Sequence, residues 1–393
     1  LAPAAGLAPA GLTPVASNLS WNSRMAKATQ NRAIIKPNQS VNLTLFHRAV
    51  RRAVDIERLK TGEVRSVMSL LNRSVLPDID RQIADRLGRI ALGEIKNGYT
   101  DYRLQALKES IGGMIKGGMH SVSEMLQGRL TQLAHSESTI EVSALKGAIT
   151  VPFDFIAPAP NLLKAIVTER PFEGRILGDW FSDLAQKYQR EIPRQINIGL
   201  VQGESVPDLV RRIRGSAEAA FGDGTAGAIR RDVEAVVRTA VGSVSSAARA
   251  ETYAANADVV KGVQWIATLD PRTCEICMAR DGQVFDLDGN IPMPPSHWNC
   301  RCTTAPVLKS WKELGIDAKE ADAGTRASMD GEVPATMTYG QWLKEQSEKV
   351  QNDALGPTRA EMFRTGKVAI DRFVDDRSQW LTLDQIRRRE GLN

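Results

Sequence analysis

A chain of 393 residues with 42% hydrophobic side chains has enough apolar content for two or three packed cores, which excludes a chain without folded parts. Lys and Arg total 51 against 46 Asp and Glu, a net charge of +5 that permits contact with nucleic-acid phosphates without demanding it. Aromatics make up only 5%, no apolar run reaches the length of a membrane span, and no charged-then-apolar secretory start is visible, so the composition points to a mainly α fold with no membrane partner.

Residues 1–40 read as a flexible Ala/Pro-rich arm, since LAPAAGLAPAGLTPVAS cannot bury a core. Should the arm order on a partner, Trp21 and the cations Arg24, Lys27, Arg32 and Lys36 would anchor it. Residues 41–150 form an N-terminal long-helix region. A helix is expected over 41–75, because Leu43, Phe46, Val50 and Val54, then Val64, Val67 and Leu71, recur at three- and four-residue steps. Its other face carries Arg48, Arg51, Arg52, Arg58 and Lys60. That face is expected to be solvated rather than DNA-facing, as Asp55, Glu57 and Glu63 interrupt it. Pro77 opens a helix expected over 78–97, ending at Asn97-Gly98.

A second long helix is expected over 101–135, with Leu104, Leu107, Ile111, Ile115, Met119, Val122, Leu126, Leu130 and Leu133 in one stripe. Gly112, Gly113, Gly117 and Gly118 lie within it. Each glycine costs a helix about 1 kcal/mol relative to alanine, so their presence predicts the close approach of another helix, or a bend. His120 and His135 read as surface or satisfied residues. Residues 140–160 look like an extended linker with three prolines.

A second helical region spans 151–260. Leu177, Trp180, Phe181, Leu184 and Tyr188 make one helix face, and Gly203 closes that helix. Ser205 caps the next, with Pro207 in its first turn and Asp208 at the capping-box position. A small-residue loop over 215–227 leads to a long helix over 229–256.

All four cysteines fall in the next module, 261–310. Cys274 and Cys277 form C-x2-C, and His297, Cys300 and Cys302 form H-x2-C-x-C. Soft thiolates and an imidazole at these spacings suit a tetrahedral zinc ion. Cysteines three apart fit a tight turn that points both sulfurs inward; residues two apart on an extended segment share a face. Five donors compete for four places, and the spacing does not choose among them; the odd one would serve as a supporting partner. Two disulfides, or buried thiols that merely pack, are the alternatives. A thiolate–imidazole nucleophile pair is disfavoured, because the surplus of ligands points to a closed structural site. Short strands are expected over 262–267, 283–285 and 302–307, and Asp270 with Arg272 reads as turn geometry with a local ion pair.

T-x-D-x-R-T-C-x-x-C, then DGQVF, then P-P-x-H-x-x-C-R-C closely resembles the phage head morphogenesis family of minor head proteins, the group of the phage Mu F protein. The matching residues are Thr268, Asp270, Arg272, Thr273, Cys274, Cys277, Gly282, Pro294, Pro295, His297, Cys300, Arg301 and Cys302. The lead-in Gly203, Ser205, Leu209, Arg238 and Thr239 is similar to the family's as well. The family often has an acidic residue after this Arg-Thr; here Ala240 stands there, and no special charge pair is expected.

Residues 311–393 read as a polar linker and a C-terminal helical appendage. Helices are expected over 339–355 and 358–365, a third around Ile370 and Phe373, and a capped one beginning at Thr382 and Asp384. Trp342, Leu343, Phe363, Phe373 and Trp380 would pack it, and Y-x-x-W-L-x-x-Q resembles a tail often attached to the same phage proteins. The fold class expected is therefore mainly α, with long helices, a small α+β Cys/His module stapled by metal, and a helical appendage. The resemblance implies a non-enzymatic minor capsid protein in multiple copies. It would act in virion assembly at or near the portal, with portal or major capsid protein as partner and packaged double-stranded DNA within reach. Its place would be the host cytoplasm during assembly and the virion afterwards. The rivals are a metal-dependent nuclease or hydrolase using His297, and a zinc-bearing DNA-binding protein.

Overall fold

The computed structural model describes residues 41–88, 98–149, 153–287, 289, 291–310, 312–314, 325–375 and 379–392. The arm expected over 1–40 and the helix end expected at Asn97 lie outside them. Among the described residues the fold is mainly α with few strands, and no helix is long and apolar enough to cross a membrane.

Helix α1 (Val41–Leu70) passes through a π turn (Leu71–Val75) into α2 (Leu76–Gly88). Pro77 has no N–H to give the Arg73 carbonyl, and the widened turn lies over that carbonyl. Helix α3 (Gly98–Ala148) is the longest element. It is followed by α4 (Pro160–Thr168), α5 (Leu177–Val201), α6 (Val206–Arg214) and α7 (Thr225–Ala255). The main core lies where α3 meets α5 and α7, through Leu107, Ile115, Val122, Leu126, Phe181, Tyr188, Val237 and Val241. The Ser205 hydroxyl accepts the Asp208 N–H at 3.4 Å and donates to its carboxylate at 2.5 Å, which fixes the start of α6.

In the N-terminal helical region the structure corrects three expectations. First, α3 runs on to Ala148, so an extended linker begins only beyond it and covers 153–159. The apolar stripe does stop near Leu133, but the buried face continues in polar residues: Glu137, Ser138 and Glu141 are buried before Ala144 and Leu145 resume the pattern. Second, the basic face of α1 is not uniformly solvated. Lys60 is 3% exposed, Arg52 pairs with the buried Glu137, and Arg48 donates to the Ala144 carbonyl at 2.6 Å; Arg51 and Arg58 do face solvent. Third, of the four glycines Gly112, Gly113, Gly117 and Gly118, only Gly118 has another segment pressed closely upon it. A β-carbon there would lie 2.5 Å from a Val75 methyl, whereas Gly113 and Gly117 face open space.

Strand β1 (Val260–Ile266) is flanked by β2 (Val284–Asp286) and β3 (Thr303–Leu308), both antiparallel to it. Helix α8 (Glu275–Arg280) lies between β1 and β2 in the chain. Beyond it, β4 (Thr325–Ser328) and β5 (Gly331–Pro334) make a hairpin where only a polar linker was expected. The helix expected over 339–355 is two, α9 (Tyr339–Lys344) and α10 (Glu348–Leu355), because Ser347 caps the second. Helix α11 (Pro357–Arg364), a 3-10 turn (Ile370–Phe373) and α12 (Leu383–Glu390) complete the fold. Tyr339, Trp342, Leu343, Phe363 and Phe373 pack together with Leu269 and Met278, so this appendage shares its core with the cysteine module.

The two kinds of glycine separate in a substitution test. Gly118→Ala is expected to cost about 1–3 kcal/mol by driving a methyl into Val75. Gly117→Ala is expected to stabilise by up to about 1 kcal/mol. Denaturant midpoints measure both, and equal shifts would contradict the packing described.

Candidate metal centre

The centre is assembled by two loops that the three-stranded sheet brings together. After β1 the chain turns through residues 267–273, where the Thr273 hydroxyl donates to the Thr268 carbonyl at 2.5 Å. Cys274 then occupies the N-cap of α8, and the helical turn brings Cys277 around to the buried side. After β2 the chain returns through the cis peptide Pro294-Pro295 and a turn in which the Cys300 N–H donates to the His297 carbonyl at 3.2 Å. Asn299, at φ 60, makes the reversal that sets Cys300 inward, and Cys302 stands directly before β3.

All five residues singled out in the sequence meet here. Cys274, Cys277 and His297 form one group whose ligand atoms lie within 4.8 Å of one another, and Cys277, Cys300 and Cys302 form a second. Cys277 belongs to both. Its sulfur is 3.7 Å from His297 Nε2 and 3.8 Å from Cys300 Sγ. Sulfurs about 2.3 Å from a shared tetrahedral zinc lie about 3.8 Å apart, and a sulfur and an imidazole nitrogen about 3.5 Å apart. The donor set and its spacing thus fit a metal ion. The four cysteines are free thiols in this arrangement, and Cys277 and Cys300, at 3.8 Å, are far beyond a bonded pair at about 2.05 Å.

The electrostatics fit a cation too. Hydrogen bonding with Cys277 lowers the Cys274 thiol to about 5, and hydrogen bonds with Cys274 and Cys300 push His297 up to about 11. Cys277 is driven upward by its three sulfur neighbours, so the cluster distributes negative charge unevenly over crowded sulfurs. His297 Nδ1 lies 2.9 Å from the Trp298 carbonyl, which can only accept, so Nδ1 carries a proton, and Nε2 faces the sulfurs. Neither donor group contains a carboxylate. Of the acidic residues nearby, Asp270 and Asp281 are tied to Arg301 and Arg326, and Asp288 lies outside the described residues.

Residues outside the candidate ligand set hold the centre in place, some of them noted in the sequence for other reasons and others, such as Arg249 and Trp298, that the sequence did not mark. Lys60 donates to the Cys300 carbonyl at 2.7 Å and to Glu57 at 2.6 Å; Arg238 also pairs with Glu57, at 2.7 Å. The Asn299 N–H donates to Thr239 Oγ1 at 3.1 Å, so the Arg-Thr pair of the lead-in docks the module onto α1 and α7. Arg249, 2% exposed, donates to Thr303 Oγ1 at 2.5 Å and reaches Glu137 at 3.8 Å. Trp298 meets Trp180 edge to face at 4.9 Å. Asp270 accepts two hydrogen bonds from Arg301, at 2.6 and 2.7 Å; its link to Arg272, expected to be the local pair, is the longer one at 3.4 Å. Burial alone would raise the Asp270 carboxyl, but Arg301 outweighs it and holds the group below its usual range. On the far side, the buried Asp281 accepts from Arg326 at 2.9 Å and from the Ala267 and Tyr339 N–H groups at 2.7 Å.

The fold and the centre together define a mainly helical protein built around a cysteine–histidine knuckle that is clamped on both sides. Residues 190–305 match the family described as Phage Mu protein F like protein, from within α5 to β3 and including every candidate ligand. No curated protein and no solved structure matches the chain.

The buried pair offers a direct check. Arg326→Met strands the Asp281 charge and is expected to cost about 3–5 kcal/mol in urea unfolding. An unchanged midpoint would mean that Asp281 does not rely on this guanidinium.

Proposed function

We propose that this chain is a phage head morphogenesis protein, a structural component of the virion that acts in capsid assembly at or near the portal. The observation that carries the reading is the coincidence of the family match with the complete Cys/His constellation inside it. The knuckle holds one structural zinc through four of Cys274, Cys277, His297, Cys300 and Cys302. The ion rigidifies the junction on which the long helices and the C-terminal appendage converge, and so presents a fixed docking surface to portal or major capsid protein. Multiple copies act per particle, inside the capsid or beside the portal, after assembly in the host cytoplasm; packaged DNA lies within reach of the net positive chain.

How the donors of the centre are engaged supports a scaffold role. His297 is committed through both ring nitrogens, one to a carbonyl and one to the sulfurs, and no carboxylate joins the donor groups to act as a base. The five candidate ligands are in surplus over the four places of a closed site.

Elemental analysis of protein purified under reducing conditions is expected to give about one zinc per chain. Cys277→Ser, which breaks both donor groups, is expected to remove it and to lower thermal stability sharply. Quantitation of assembled particles is expected to find the chain in them, and to find the Cys277→Ser variant depleted. Cleavage of DNA or peptide that disappears in His297→Ala would replace this reading with a hydrolytic one.

A further inference from the structure

Between α1 and the last turns of α3 lies an open groove of about 600 Å³, on a face the metal centre does not use. Leu45, Ala49 and Ala144 form its floor, and Ile140, 39% exposed, stands at its edge. Above this apolar strip rise Arg48, Arg51 and Arg52 on one side, with Asp55 and Glu141 as the acidic lining residues.

The charges do not cancel inside the groove. Arg52 is matched by the buried Glu137 behind it. Asp55 is matched by Arg58 at 3.0 Å. Glu141, 5% exposed, accepts the Tyr253 hydroxyl at 3.0 Å, and burial raises its carboxyl toward the neutral form. That leaves Arg48 and Arg51. The Arg48 guanidinium lies over the bare backbone of Gly147, where a β-carbon would meet it at 2.9 Å, and donates to the Ala144 carbonyl, which fixes its position without removing its charge. Arg51 is exposed and has no ion-pair partner among the described residues. A held cation and an exposed one, set over an apolar strip, complement a chain that alternates carboxylates with apolar side chains.

We propose that this groove docks a segment of a partner protein that carries acidic residues beside apolar ones. The chain's own residues 1–40 do not suit it, since they contain four cations, Arg24, Lys27, Arg32 and Lys36, and no carboxylate. Nucleic acid suits it less well, because the apolar strip and Ile140 offer a phosphate backbone nothing. The inference stands on the groove and does not depend on the head-assembly reading.

Fluorescence anisotropy with the purified full chain tests it, using a labelled amphipathic Leu/Glu peptide, its Leu/Lys counterpart and a short random DNA duplex. The Leu/Glu peptide is expected to bind at least about tenfold more tightly than the Leu/Lys one. Arg51→Glu and, separately, Ile140→Asp are each expected to weaken it by about tenfold; both positions are exposed, so both variants keep the fold. Absence of Leu/Glu binding, binding unchanged in both variants, or duplex binding lost in parallel with peptide binding would each overturn the proposal.

Discussion

The segment 297–303 is gripped from several directions by polar groups, most of them shut away from water. Lys60 reaches it from α1, Thr239 and Arg249 from α7, and Asp270 from the preceding turn. Most of these donors or acceptors would be costly to leave without a partner, because a buried unsatisfied polar group loses about 1–3 kcal/mol or more. The segment is therefore the position at which the long helices and the sheet agree on one arrangement. The sulfur cluster, half of it seated in this segment, has only a small apolar core of its own, made of Trp265, Ala267, the partly buried Phe285 and the cysteines themselves.

That the five candidate ligands come together was legible because chemistry-bearing residue types crowd one short window, and no packing pattern imitates C-x2-C with H-x2-C-x-C. The helices were legible wherever apolar residues repeat at three and four steps, as in Leu107 to Leu130. The end of α3 was not, because its buried face changes from apolar to polar at Glu137, and a hydrophobic stripe gives no warning of a buried carboxylate. Lys60 and Arg52 failed for the same reason in reverse. A cation on a helix surface reads as solvated until its partner is known, and Glu137 and the Cys300 carbonyl are 85 and 240 residues away.

Arg249 shows where a local signal did exist. It stands in SSAARAET, a charge among small residues in the middle of a helix with an apolar face. Small neighbours let helices approach closely, and a long cation in such a run has little water to reach. The hairpin of β4 and β5 was hidden differently: its strands are four residues each, and its one buried described charge, Arg326, finds Asp281 only through the fold. Buried polar pairs thus join segments far apart in the sequence alongside the apolar core.

The edge-to-face pair of Trp180 and Trp298 has a consequence for how the molecule reports on itself. One indole belongs to a bundle helix and the other sits between His297 and Cys300, with ring centres 4.9 Å apart. Two indoles at that separation couple their electronic transitions, and the coupling fades steeply as the rings part. The protein thus carries a built-in optical gauge across the seam between its helices and its sulfur cluster, readable in near-ultraviolet circular dichroism without any added label.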